Sequence, residues 1–212
     1  MTELAPPWLR PLVEAVRTVR AEQLSRFVPP DDGSGRHSAV LMLFASADGM
    51  ATADVLLLQR AATLRSHAGQ VAFPGGGSDP TDASSAATAL REANEEVGLR
   101  PETVDVLAEL PALFLPPSGY VVTPVLGHWR EPHPVGVVDT AEVAAVHRLP
   151  VAALVDPANR FTVRHPSGYH GPGFEVDGLF VWGFTAGLLD RLLRLAGWEQ
   201  PWDRELTRPV QD

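Results

Sequence analysis

Three glutamates at helical spacing are the residues of this chain best suited to chemistry. Glu92 precedes Glu95 by three positions and Glu96 by four, within the segment 90–99. On a helix these side chains share one flank, while the apolar residues of the same segment occupy another. Carboxylates placed so closely repel one another, so this flank is either a solvated acidic surface or a binding site for a cation.

A glycine-rich segment, Phe73-Pro74-Gly75-Gly76-Gly77, precedes this helix and is predicted to form a turn. Gly75 and Gly76 permit positive φ angles and a close approach of the backbone to other groups. Mg²⁺ prefers oxygen ligands and is often held by a few carboxylates together with substrate phosphates. Such an ion acidifies a bound water, which can then attack phosphorus. Together the two segments predict a divalent-metal site that handles phosphate.

Composition bounds the class of protein. The chain has 212 residues, of which 45% are hydrophobic and 20% charged, as expected for one globular domain with additions. No apolar run of about 18 residues predicts a membrane-spanning helix, and the first residues lack the basic and apolar regions of a secretory signal. The absence of cysteine excludes disulfides, thiolate metal sites and cysteine nucleophiles. A cytoplasmic location is therefore expected.

The charge balance narrows the expected partners. The net charge is −9 and lysine is absent, a composition typical of a GC-rich bacterium. An acidic surface argues against nucleic-acid binding, which requires a basic stripe. A small anionic substrate is still compatible, because arginines and a bound cation can reverse the field within one cleft. Neither nucleic acid nor a membrane is an expected partner, and a homodimer is left open.

Hydrophobic periodicity and turn residues predict the elements that position these groups. An N-terminal helix over residues 8–25 precedes a hairpin of strands at 38–44 and 55–59, which turns at Asp48-Gly49. The polar, glycine-containing segment 60–78 is interpreted as a functional loop, since long loops within compact domains usually serve function.

The glutamate helix and the elements after it predict a layered fold. Candidate caps for the helix are Asp82, Ser84 and Ser85, and Gly98 with Pro101 stops it. Strands are predicted at 104–115, 120–129, 143–149, 161–163 and 174–182, and helices at 151–154 and 184–196. This order predicts an α+β or α/β/α arrangement with a mixed sheet. We divide the chain into an N-terminal helix and linker (1–34), a main domain (35–197) and a C-terminal tail (198–212).

Residues 91–99, Arg91-Glu92-Ala93-Asn94-Glu95-Glu96-Val97-Gly98-Leu99, resemble the R-E-U-x-E-E-x-G-U half of the Nudix box, in which U is a bulky aliphatic residue. The resemblance implies the Nudix fold, an α/β/α sandwich, and hydrolysis of a nucleoside diphosphate linked to another moiety. It implies Mg²⁺ or Mn²⁺ bound by Glu92, Glu95 and Glu96, and Arg91 as a residue that orients a glutamate. Glu142 precedes a Val-x-x-Leu-Pro strand, where some Nudix enzymes carry a further metal ligand or general base; the alternative is a surface glutamate.

The upstream half of the box departs from the family pattern. Ala83 occupies the position of the first box glutamate, and the nearest acids are Asp79 and Asp82. Gly75 and Gly76 lie one residue earlier than the box glycine would. The role of the first box glutamate is therefore open in this chain.

A second motif resembles one branch of the family. Residues 64–76 fit the L-R-x-H-x-G-Q-V-x-F-P-G-G element of the coenzyme A pyrophosphatase branch, and the resemblance covers roughly residues 38–195. Members of that branch cleave coenzyme A into 4′-phosphopantetheine and adenosine 3′,5′-bisphosphate. The substrate-binding residues that we infer with it are Arg60, Arg65, His67, Gln70, Gly75 and Gly76.

Two of these residue types suit recognition of an anion. Arg65 offers a planar fork for phosphate, and His67 can donate or accept a hydrogen bond at neutral pH. The alternatives are an ordinary salt bridge for Arg65 and, for His67 and Gln70, stabilisation of the loop through hydrogen bonds to the backbone.

The expected function is metal-dependent hydrolysis of the diphosphate of coenzyme A or its derivatives. Two alternatives are left open: the same chemistry on ADP-ribose, NADH or a nucleotide sugar, and a non-catalytic module that binds a nucleotide. The expected partner in each case is a small-molecule nucleotide.

Overall fold

The computed structural model describes residues 4–64, 66–116 and 118–210. Its helices are α1 (Arg10–Val16), α2 (Ala21–Leu24), α3 (Ser85–Val97), α4 (Val151–Val155) and α5 (Gly183–Leu195). Its strands are β1 (Arg36–Ala45), β2 (Asp54–Arg60), β3 (Val71–Ala72), β4 (Gly75–Gly77), β5 (Val104–Glu109), β6 (Leu113–Leu115), β7 (Tyr120–Trp129), β8 (Val143–Pro150), β9 (Arg160–Arg164), β10 (His170–Val176), β11 (Leu179–Val181) and β12 (Thr207–Pro209).

Strand β1 is the centre of a mixed sheet that has eight strands within the described ranges. It runs parallel to β7 along one side, and on its other side it pairs antiparallel with β2 and β4. Strands β5 and β6 pair with β7, while β3 and β8 pair with β2. The glycine-rich segment and the strand that follows Glu142 are therefore both tied to the middle of the sheet.

The side chains of β1 alternate between two cores, as the two-residue period of a strand requires. Leu41 and Leu43 face the core that contains α3, and Met42 and Phe44 face the core that contains α1 and α5. Because helices cover both faces, β1 is buried along nearly its whole length. The predicted α/β/α arrangement with a mixed sheet is confirmed.

A second sheet, in the order β11-β10-β9-β12, packs against α5. Strand β12 runs parallel to β9 and pairs Thr207 with Thr162. No strand was predicted in the segment 198–212. The division of the chain into a main domain and a tail stays a prediction.

Three predicted elements are wrong in extent. The helix predicted over residues 8–25 is two short helices, α1 and α2, because the chain leaves the helical conformation after Arg17. The strand predicted at 104–115 is broken into β5 and β6 around Pro111, which has no backbone N–H to donate. The strand predicted at 174–182 is a hairpin, because Asp177 and Gly178 both have positive φ and form its turn.

Within the ranges that the structure describes, no helix is long and apolar enough to cross a membrane.

Candidate active site

Helix α3 is fixed at both ends, which sets the direction of its glutamates. Ser84 is the N-cap and accepts a hydrogen bond from the Ala87 N–H at 3.1 Å. Gly98 ends the helix in the left-handed conformation, as predicted. Ala93 and Val97 are fully buried against the sheet. The opposite flank of the helix therefore faces the glycine-rich segment.

The glycine-rich segment is strand β4 and not a free turn, which corrects the sequence prediction. Its backbone pairs antiparallel with residues 38–40 of β1. Without side chains the three glycines carried no hydrophobic alternation, so the sequence held no strand signal. Gly75 has the predicted positive φ, +155°, and Gly76 does not.

Strand β4 contacts two of the three glutamates. The Gly75 N–H donates to Glu96 Oε2 at 2.9 Å. A Cβ atom on Gly76 would lie only 2.5–2.6 Å from the carboxylate atoms of Glu92. The predicted close backbone approach is thus an approach to the glutamates themselves.

This contact yields a test of the site. Gly76→Ala is expected to displace the Glu92 carboxylate, while the protein stays folded because the displaced atoms end a flexible side chain. A displacement of this size is expected to lower kcat by about 10²-fold. The matched control is Gly77→Ala, because a Cβ on Gly77 meets open space. Equal kcat values for the two variants, with equal melting temperatures, would contradict the assignment.

Glu96 is a buried carboxylate among other carboxylates. Its residue is only 3% exposed, and it forms no ion pair with a described residue. Burial raises its pKa to about 8, and the charges of Glu92 and Glu142 push the pKa in the same direction, against the Gly75 N–H and Arg60. A carboxyl group held under such conditions is typical of a functional site.

Glu92 and Glu142 belong to the same electrostatic cluster. Burial raises the pKa of Glu92, and the charges of Glu95 and Glu142 add to that effect while Arg91 opposes it. Glu142 is exposed at the surface, but its charge raises the pKa values of both Glu92 and Glu96. Glu95 is exposed too. The four glutamates that the sequence singled out therefore interact electrostatically.

Arg91 bonds to two of these glutamates. Its Nη1 donates to Glu92 Oε1 at 3.0 Å and to Glu95 Oε2 at 2.9 Å. Its Nε and Nη2 donate to the carboxylate of Asp82 at 3.1 and 3.0 Å. Asp82 was predicted only as a candidate cap. Its pairing with Arg91 was missed, although Ala83 at the box-glutamate position was a signal to look for a substitute.

The loop before β8 ties Glu142 to the helix. The Gly136 N–H donates to the Val97 carbonyl at 3.1 Å, and the Val138 N–H donates to the Glu96 carbonyl at 3.0 Å. These bonds satisfy carbonyl groups that would otherwise be free at the C-terminal end of α3. Glu142 ends this loop, so its distance from α3 is set by backbone contacts.

The donor set suits a hard divalent cation. In the chain as described, no three acidic or histidine side chains are arranged as a ready metal site. Glu92 and Glu95 turn one oxygen each to Arg91, and Glu96 turns one to the Gly75 N–H. Their chemistry nevertheless fits Mg²⁺ or Mn²⁺, since all are carboxylates and a cation would offset both the burial and the mutual repulsion that raise the pKa values of Glu92 and Glu96.

Arg60 lies beside this cluster at the end of β2. It is half-buried, its charge acts on Glu96, and its Nε is buried without a hydrogen-bond partner in the described part of the chain. Arg60 also begins the segment 60–78, and its backbone N–H donates to the Gln70 carbonyl at 2.9 Å. Arg60 is thus the predicted substrate-binding side chain that the structure places next to the glutamates.

His67 and Gln70 are not joined to the glutamates by any hydrogen bond or ion pair within the described ranges. His67 Nδ1 and Gln70 Oε1 bond to each other at 2.9 Å, a contact between side chains and not the backbone hydrogen bonds considered as an alternative, so their role in substrate binding stays a prediction. Arg65 lies outside the described residues.

Three comparisons relate this geometry to known proteins. The family model described as "NUDIX domain" matches residues 35–171. The relative described as "Uncharacterized Nudix hydrolase NudL" from Cronobacter sakazakii is 46% identical over 154 residues, covering 69% of this chain and 77% of its own. The relative with the same description from Escherichia coli strain SMS-3-5 is 43% identical over 145 residues, covering 65% and 72%.

A solved structure shows the same fold. The Nudix hydrolase RenU of M. smegmatis is similar with a TM-score of 0.52 and 23% identity, over 81% of this chain and 95% of that chain. At this identity the likeness concerns the fold alone.

Proposed function

The chain belongs to the Nudix family, and from that premise we propose that it is a metal-dependent diphosphatase that acts on coenzyme A or its derivatives. The matches to the family model and to the relatives confirm the predicted family. The relatives described as Nudix hydrolases support an enzyme of the diphosphatase type. The choice of coenzyme A rests on the sequence element 64–76.

One observation carries the proposal. The segment that resembles the coenzyme A branch ends in β4, and β4 is the element that contacts Glu92 and Glu96. The branch-specific element therefore leads directly into the strand that contacts these two carboxylates. A substrate phosphate bound at that cluster would lie beside the loop.

In this proposal Glu92, Glu95 and Glu96 hold the divalent cation. Mg²⁺ or Mn²⁺ supplies charge neutralisation and acidification of a water molecule when bound. The water oxygen would form a new bond to one phosphorus as the bridging P–O bond breaks and the other phosphate leaves with the bonding electron pair, and Glu92, Glu95, Glu96 or Glu142 would take the proton from the water. Arg91 orients glutamates, and Arg60 with Arg65 supplies positive charge for the phosphates.

The substrate is tested by product analysis. With Mg²⁺ or Mn²⁺, the purified protein is expected to release adenosine 3′,5′-bisphosphate and 4′-phosphopantetheine from coenzyme A. Its kcat/KM on coenzyme A is expected to exceed those on ADP-ribose, NADH and a nucleotide sugar by about 10-fold or more. Coenzyme A carries a 3′-phosphate besides its diphosphate, and the protein groups that pair with it would be left unpaired by the other three compounds.

Three results would contradict this assignment. A higher kcat/KM on another diphosphate would support the same chemistry on a different substrate. Binding of coenzyme A without turnover would support a non-catalytic module. If the protein neither bound nor hydrolysed any of the four compounds, this class of diphosphates would be excluded as substrates.

A further inference from the structure

Arg91 uses every donor that a guanidinium has. Nη1 bonds to Glu92 and Glu95, Nη2 bonds to Asp82 and to the Gly77 carbonyl, and Nε bonds to Asp82. A guanidinium carries five N–H donors in a fixed planar fork, so no donor is left over. Asp82 thereby holds the two donors on one side of the group.

This arrangement limits the number of glutamate oxygens to which Arg91 can donate. One Nη1 nitrogen reaches Glu92 through Oε1 and Glu95 through Oε2. The second oxygen of each carboxylate is left free of Arg91. If the fork turned to face one glutamate, it could occupy both oxygens of that carboxylate, as bidentate arginine–carboxylate pairs do.

Asp82 is itself held rigidly. Its Oδ2 accepts hydrogen bonds from the Asp79 N–H and the Thr88 hydroxyl, both at 2.9 Å. Its side chain is 7% exposed. Arg91 is the main reason that the pKa of Asp82 lies far below its usual value, so the carboxylate stays charged. Ala83, at the position of the first box glutamate, has no side-chain group to make such bonds.

We propose that Asp82 is a positioning residue that turns Arg91 so that Glu92 and Glu95 each keep an oxygen for the divalent cation. It acts through Arg91 and does not contact the ion. The inference rests on the metal site of the proposed function, but not on the identity of the substrate. Its tests therefore measure Mn²⁺ binding to the full chain without substrate.

Asp82→Asn is expected to weaken Mn²⁺ binding by about 10-fold, the lower end of what is usual when a partner of a metal ligand is removed. Mn²⁺ affinity is measured by electron paramagnetic resonance of the free ion, and thermal unfolding verifies that the variant is folded. Asp79→Asn is the matched control, because it removes a nearby acid that bonds to Thr81 and not to Arg91. This control is expected to bind Mn²⁺ like the wild type.

A double-mutant cycle separates positioning from a general charge effect. In an Arg91→Gln background, Asp82→Asn is expected to cause no further loss of Mn²⁺ affinity, because the residue through which it acts is gone. If Asp82→Asn does not fold, Arg91→Lys provides the test. An ammonium group cannot form the same fork, so a similar loss is expected.

The inference is overturned if Asp82→Asn binds Mn²⁺ like the wild type, or if it loses the same factor in both backgrounds. Glu96→Gln distinguishes this failure from failure of the proposed site. Weak Mn²⁺ binding by Glu96→Gln with no effect of Asp82→Asn refutes only the positioning role, whereas wild-type binding by Glu96→Gln refutes the metal site itself.

Discussion

Glu96→Gln is expected to lower kcat on the order of 10²–10⁴-fold, the range that loss of a positioned acid–base group usually costs. The substitution keeps the shape of the side chain and an oxygen that can accept the Gly75 N–H bond. It removes the negative charge that is proposed to bind the divalent cation. Activity is measured by release of adenosine 3′,5′-bisphosphate from coenzyme A at saturating Mn²⁺.

The same variant is expected to melt at or above the temperature of the wild type without metal. At neutral pH the Glu96 carboxyl costs free energy on folding, because it is either buried as a charge beside Glu92 and Glu142 or must take up the proton that its raised pKa favours, and the neutral amide removes that cost. Stability would thus rise as activity falls, a trade-off common at active sites. The control is Glu102→Gln, an exposed glutamate in the turn after α3, which is expected to change neither quantity. Full activity in Glu96→Gln would exclude Glu96 from the chemistry.

Asp190→Ala is expected to lower the free energy of unfolding by about 3–5 kcal/mol, the usual cost of leaving a buried charge without its partner. Arg160 is fully buried under the second sheet, and its Nη2 donates to Asp190 Oδ1. Its other ionic partner, Glu199, lies at 3.4 Å. Burial lowers the pKa of Arg160, and Asp190 and Glu199 oppose that shift, so the buried charge depends on these acids. Urea unfolding measures the effect.

Two further variants make this prediction specific. Arg194→Ala removes a half-exposed partner of the same Asp190, at 3.3 Å, and is expected to cost less than about 1 kcal/mol. The double variant Arg160→Met with Asp190→Leu removes both buried charges and is expected to be far less destabilised than Asp190→Ala. If Asp190→Ala and Arg194→Ala cost the same, the buried pair does not stabilise the second sheet.

The glutamate helix could be predicted from local signals. Ser84 and Gly98 mark its ends, and the apolar positions repeat at helical spacing between them. Strand β4 could not, because Gly75–Gly77 has no side chains whose alternation would show it. Its pairing depends on β1, a strand more than thirty residues earlier in the chain.

The contacts that hold the molecule together were beyond local patterns as well. Arg160 contacts Asp190 and Glu199 only in the folded chain, so no pattern in the surrounding sequence indicates that it is buried. Strand β12 contains a proline and an arginine, which weaken any strand signal, and pairs with β9 some forty residues away. Asp82 was visible as the nearest acid to Ala83, but its fork with Arg91 required the geometry of the turn.

The parallel pairing of β1 with β7 has a consequence for synthesis of the protein. It joins distant parts of the chain: Arg36 of β1 lies opposite Tyr120 of β7, 84 residues later. Long-range pairs of this kind form slowly, because loop closure costs entropy before any contact repays it. During translation, α3 and its glutamates leave the ribosome before β7, β8 and Glu142 do. A nascent chain therefore carries the acidic helix without its finished sheet, and the candidate site is complete only after Glu142 has left the ribosome.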